Sequence, residues 1–252
     1  MSRYSCTSVS VAHIVQEAGI TAEIVGAHEV VISGITQDSR SVQPGDLFCC
    51  VLGLLSDGHA FVEQAIGSGA VALLVDTAQP NVPAHVTQIV VSSVRDVLGS
   101  VAGATFGHPS RALKMTGITG TNGKTSTAYI LGEILKANGA TVLVVGTLTG
   151  ERTTPEAIDL QHQFREFADA GGTHVVMEVS SHGLAMGRVN AILFDVAVFT
   201  NLGRDHLDFH GTHENYFAAK AQLFTPALAQ HAVINADDKY GQLLIDVCEV
   251  DV

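Results

Sequence analysis

Apolar residues recur along this chain with two periods, and the elements follow from where each period starts and stops. Val9 to Gly19 has helical spacing and ends on Gly19, a residue suited to closing a helix in the left-handed conformation. Val30 to Thr36 reads as a strand. A Pro44–Gly45 turn follows, then the apolar run Asp46 to Leu52. Gly58 to Gly67 reads as a helix, and Ala70 to Val75 and Ile89 to Val91 as buried strands. These elements suggest a small α/β domain over residues 1–105, with His108, Pro109 and Ser110 as a hinge.

Beyond the hinge the pattern changes to repeated strand–loop–helix units. Strands are expected at Lys114–Ile118, Thr141–Val145, His174–Glu178, Asp195–Thr200 and Ala232–Asn235. Helices are expected at Lys124–Ala137, Ala157–Ala170 and Asn215–Phe224. Strands alternating with helices imply a parallel sheet with right-handed crossovers. The expected fold class is therefore α/β, with a small N-terminal domain and a parallel-sheet domain over residues 106–252.

Composition narrows the function classes. Of 252 residues, 46% are hydrophobic and 15% charged, which is enough apolar material for a packed core. Thirteen Lys and Arg stand against 25 Asp and Glu, a formal net charge of −12. An acidic chain repels the nucleic-acid backbone, so no nucleic-acid partner is expected. The four cysteines, Cys6, Cys49, Cys50 and Cys248, fit neither a zinc pattern nor a disulfide framework, and a reducing cytoplasmic setting is expected. The N-terminus does not read as a signal peptide, no apolar run approaches a membrane span, and a monomer is expected.

The strongest chemical signal is Gly117 to Thr125, between an apolar strand and a helix. Glycines at 117, 120 and 123 let the backbone turn its N–H groups toward phosphate oxygens, and a helix N-terminus adds a positive dipole end. Lys124 would reach the β- and γ-phosphates and the Thr125 hydroxyl would bind Mg²⁺. The general phosphate-loop pattern wants glycine where this chain has Ile118. Downstream, Glu178 ends a predicted parallel strand, where a carboxylate is well placed to hold a metal. Asp205, His206, Asp208 and His210 could form a metal site or be hydrogen-bonded turn residues. Lys220 lies on a predicted helix, where a lysine is ordinarily a solvated charge.

Three segments together resemble the Mur ligase family: Thr119 to Thr125, Glu178 to His182, and Thr200 to His210 continuing into Ala218, Ala219, Lys220, Leu223 and Phe224. The first is shared with folylpolyglutamate synthetases; the Asp38–Ser39–Arg40 and Asp57–Gly58–His59 motifs favour the Mur ligases. The resemblance is to the tripeptide-forming branch, which uses ATP to activate a carboxylate as an acyl phosphate that an amine then attacks. It implies ATP on Gly120, Thr121, Asn122, Gly123, Lys124, Thr125 and Ser126. It implies Mg²⁺ on Thr125, Glu178 and His206, and on Lys220 carboxylated by CO₂; Asp208 and His210 are read as structural.

The same resemblance implies a muramyl-dipeptide substrate, UDP-MurNAc-L-Ala-D-Glu, and an amino acid, diaminopimelate or lysine, as partners. Ser39, Leu54, Leu55 and Ser56 would line the uridine diphosphate. Thr153, Thr154, Ser180 and Arg188 would contact the muramyl-dipeptide, while Met186 stands where some members have Gln. Family members are considerably longer. The resemblance therefore implies an incomplete central ATPase domain and a third, C-terminal domain with no counterpart here. An inactive nucleotide- or UDP-substrate-binding fragment and a folylpolyglutamate- or cyanophycin-type ligase are the alternatives.

Overall fold

The computed structural model describes residues 3–53 and 56–252. They form two compact units, residues 1–108 with 157–163, and residues 109–156 with 164–252.

The first unit is built on a six-stranded mixed sheet. Its strands are β1 (Tyr4–Ser10), β2 (Glu23–Val25), β3 (Val31–Thr36), β4 (Asp46–Cys49), β5 (Ala72–Val75) and β6 (Thr87–Val90). The order is β1-β3-β4-β5-β6-β2. The inner four strands are parallel, while β1 and β2 pair antiparallel at the two edges. β4 and β5 are buried at every position, as expected of strands covered on both faces. One face packs on helices α1 (Val11–Ala18) and α3 (Val94–Thr105), with Ile14, Ile35, Leu74 and Val101 in the core. The other face packs on α2 (Val62–Gly67), around Phe48, Leu73 and Ala65. The expected helix over 58–67 is thus a 3-10 turn, Gly58–Phe61, running into α2.

The second unit carries a five-stranded sheet in which every pairing is parallel, β7 (Lys114–Thr119), β8 (Val142–Val145), β9 (His174–Glu178), β10 (Phe194–Phe199) and β11 (Ala229–Ile234). The order is β11-β10-β7-β9-β8, so β7 is central with β9 and β10 on either side. Helices α4 (Lys124–Ala137), α5 (Ala157–Asp169), α6 (Ser181–Ala185), α7 (Leu207–His210), α8 (His213–Ala221) and α9 (Lys239–Val247) connect or follow the strands. The first half of α5 belongs to the first unit, where Ala157 and Ile158 join the core. Chain order reverses direction across β7, and in open α/β sheets ligands bind at such a point, beyond the C-terminal strand ends. Among the described residues, no helix is long and apolar enough to cross a membrane.

Candidate functional site

Segments of the second unit meet beyond the C-terminal ends of β7, β9 and β10. The loop after β7, Gly120 to Gly123, is fixed by Thr200 and Asn201, which lie 78 or more positions further along the chain. Thr121 N–H donates to Asn201 O at 2.8 Å, and Asn122 N–H to Asn201 Oδ1 at 3.0 Å. The Thr200 hydroxyl and Asn201 amide both donate to Asn122 O, at 2.7 and 3.1 Å. Gly120 has φ +145°, and a Cβ built there would overlap Thr200 Oγ1. No L side chain suits that backbone, so glycine is required at this point of the loop.

Lys124, the first residue of α4, curls its ammonium back over the loop. Its Nζ donates to Gly120 O at 2.9 Å and Thr121 O at 3.0 Å. Burial pushes its pKa down, against the pull of Glu178 and Asp205. Thr125 donates its hydroxyl to Glu178 Oε2 at 2.9 Å. Ser126 lies exposed in the first turn of the same helix. Two hard oxygen donors, Thr125 Oγ1 and a carboxylate, thus stand together beside a helix N-terminus. That donor chemistry fits Mg²⁺ beside a bound phosphate.

Lys220 arrives from α8. It is 1% exposed, a rare state for a lysine, and Nζ donates to Gly120 O at 3.0 Å. Its ammonium also lies 4.6 Å from the centre of the Tyr216 ring. Burial first, and then repulsion from Lys124, bring its pKa down to about 7, with Asp205 opposing. An amine that is half neutral near pH 7 can react with an electrophile such as CO₂; an ordinary surface lysine is almost wholly protonated there.

His206 sits in the left-handed region, φ 52°, just before α7, with its side chain 43% exposed. Its ring packs edge-on to His182 and against Tyr216. Lys220 and His206 therefore share Tyr216 as a common neighbour. His210 is buried and hydrogen-bonds Ser181 Oγ at 2.9 Å, in keeping with a structural role. Burial, followed by the mutual repulsion of these imidazoles, lowers the pKa of both His182 and His210. Among the described residues, no group of three or more His, Cys, Asp or Glu side chains converges as a metal site. A cation here would depend on the mixed set of hydroxyl, carboxylate and imidazole.

The expected muramyl-dipeptide contacts cluster beside Glu178. The Thr154 hydroxyl donates to Glu178 O at 3.0 Å and accepts Ser180 N–H at 2.9 Å. Ser180 caps α6 by accepting Gly183 N–H. Arg188 donates to Thr154 O at 3.0 Å and pairs with Glu156 at 2.8 Å, which braces the loop. Thr153 Oγ1 lies 3.0 Å from Thr147 Oγ1. In the first unit, Ser39 donates to Gln64 Oε1 at 3.2 Å, next to an Asp38 whose pKa is lowered by its hydrogen bond from Arg40. Ser56 is exposed and its carbonyl accepts Gly53 N–H; Leu54 and Leu55 lie outside the described residues.

Four residues that build the site were given no role from sequence: Thr147, Thr200, Asn201 and Tyr216. Thr200 ends a predicted strand and Asn201 follows it, and that position at a strand end was the available signal. Nothing in the local pattern marks Thr147.

A family model described as "Mur ligase middle domain" matches residues 118–251, and one described as "Mur ligase family, catalytic domain" matches residues 31–105. The chain belongs to the Mur ligase family. This Mur ligase chain is 43% identical over 257 residues to the UDP-N-acetylmuramoyl-L-alanyl-D-glutamate–2,6-diaminopimelate ligase of Streptomyces coelicolor, covering 98% of the chain and 50% of that relative. A solved structure of an enzyme of the same name superposes with a TM-score of 0.79 at 32% identity, over 95% of this chain and 50% of that one. A MurF ligase from Thermotoga maritima in complex with ADP gives a TM-score of 0.61 at 25% identity, over 86% and 49%. The chain thus spans about half the length of the curated relatives it matches.

Proposed function

We propose that this chain carries the nucleotide and UDP-substrate sites of an ATP-dependent ligase that adds the third amino acid, diaminopimelate or lysine, to UDP-MurNAc-L-Ala-D-Glu. The observation that carries the reading is the convergence of Lys124, Thr125, Glu178 and Lys220 around one glycine loop. The diaminopimelate ligases named above, and the ADP held by the MurF relative, support the choice of substrate and nucleotide. The setting is cytoplasmic and the chain acts as a monomer, without nucleic-acid or membrane partners.

In this reading the α4 N-terminus and Lys124 hold the ATP phosphates, on a loop that Asn201 braces through the Thr121 and Asn122 N–H groups. Thr125 and Glu178 would hold one Mg²⁺, and His206 with carboxylated Lys220 a second. Bound there, the metal supplies positive charge against the negative charge that develops on the transferring phosphoryl group. A substrate carboxylate oxygen attacks the γ-phosphorus and the bond to ADP breaks. The amine of the incoming amino acid then attacks the acyl carbon, expels phosphate and loses a proton. Thr153, Thr154, Ser180 and Arg188 orient the dipeptide end, while Ser39 and the loop through Ser56 hold the uridine diphosphate.

Isothermal titration tests this directly. The purified chain should bind a non-hydrolysable ATP analogue with Mg²⁺, and separately UDP-MurNAc-L-Ala-D-Glu. Lys124→Ala should weaken the nucleotide at least tenfold, since a charge-assisted contact is worth about 1.5–3 kcal/mol, and leave the UDP ligand unchanged. A folded chain that binds neither ligand would overturn the reading.

A further inference from the structure

Glu178 is 1% exposed, and its orientation is set from the loop that follows β8. Thr147 N–H donates to Glu178 Oε1 at 2.9 Å. The Thr147 hydroxyl reaches Oε2 at 3.5 Å, on the same oxygen that accepts from Thr125. A Cβ built on Gly146 would overlap Oε1, so the backbone can come this close only because residue 146 is glycine. The far side of the Thr147 hydroxyl lies 3.0 Å from Thr153 Oγ1. Thr154, next in the chain, donates to the main-chain carbonyl of Glu178 at 3.0 Å. Residues 153–154 therefore grip Glu178 twice, by its backbone through Thr154 and by its carboxylate through Thr147.

We propose that Thr147 is a positioning residue, which aims the Glu178 carboxylate at its cation and couples that aim to the Thr153–Thr154 substrate segment. The proposal rests on the ligase reading above. A carboxylate only accepts hydrogen bonds, so a Thr147 hydroxyl that donates to Glu178 must in turn accept from Thr153. The hydroxyl chain then runs Thr153 to Thr147 to Glu178 in one direction. Groups behind a metal ligand fix its rotamer, and removing one weakens cation binding without touching the cation.

The test is calorimetric titration of the full chain with a non-hydrolysable ATP analogue, with and without Mg²⁺. The readout is the affinity gained from the metal. Thr147→Val keeps the N–H and shape but removes the hydroxyl, and it should cut the metal-dependent gain about tenfold while the metal-free affinity stays as in the wild type. Thr147→Ser should restore the gain. Thr153→Val should reproduce part of the loss and add nothing to Thr147→Val. An undiminished gain in Thr147→Val overturns the proposal. So does an equal loss in Thr147→Ser, or a parallel fall in metal-free affinity, which would make Thr147 only a shaper of the loop. A wild-type chain that binds no nucleotide at all would remove the ligase reading and this proposal with it.

Discussion

The site is held at the residue scale by close approaches that tolerate no extra atom. Gly120 is the sharpest case. Its φ of +145° suits no side chain, and an added Cβ would overlap Thr200 Oγ1, whose bond to Asn122 O helps hold the loop. Gly120→Ala should therefore combine backbone strain with overpacking and cost about 3 kcal/mol of stability. The check is a urea titration, which should show a lower midpoint at unchanged slope, and calorimetry should show loss of nucleotide binding. A variant as stable as the wild type would mean that the loop relaxes without cost. Gly117 and Gly123 flank this position in sequence, yet they face different surroundings. An alanine Cβ at Gly117 would meet the Phe194 ring, while Gly123 has open space around it.

At the scale of elements, function depends on how each segment begins. The helix α8 carries Lys220 in its last turn and starts from Thr212, whose hydroxyl accepts Asn215 N–H at 3.1 Å. Thr212→Ala should cost about 1 kcal/mol, the usual worth of such a cap, and thermal melts followed by circular dichroism would measure it. Elements with a clean period were legible in sequence: Lys124–Ala137 and His174–Glu178 have the bounds expected of them. The misses have physical causes. β1, Tyr4–Ser10, is an edge strand whose Ser and Thr positions dilute the alternation, and its tail resembles the start of α1. α3 was not anticipated because Gly99 and Gly103 break the helical signal, although both are buried and let the helix lie close in the core. Residues 117–125 were legible as a candidate site for a similar reason: their pattern of glycines, Lys124 and Thr125 is local. Thr147 and Tyr216 act through partners 31 and 95 positions away, which no local pattern encodes.

For the whole molecule, the balance of charge and burial has a measurable pH dependence. Lys220 has a folded pKa of about 7, against 10.5 for the free side chain. Between those values the unfolded chain holds a proton that the folded chain has shed. Stability from this group therefore rises with pH across that window, by up to about 1.4 kcal/mol per pH unit. The formal net charge of −12 acts the other way, since added negative charge favours expansion. The informative quantity is thus the wild type minus Lys220→Met, by urea denaturation at pH 7, 8 and 9 in CO₂-free buffer. That difference should grow with pH; a flat difference would mean that Lys220 stays protonated in the folded chain. The pairing order of the second sheet carries a further consequence, in time. The glycine loop is made early, yet its bond to the Asn201 side chain spans 79 positions and the one from Lys220 to Gly120 spans 100. At a synthesis rate of roughly 5–20 residues per second, the loop would wait roughly 4 to 16 s for Asn201 to be made. During that interval the nascent chain holds the motif without the scaffold that shapes it. The proposed nucleotide site is therefore completed late, in a step gated by translation.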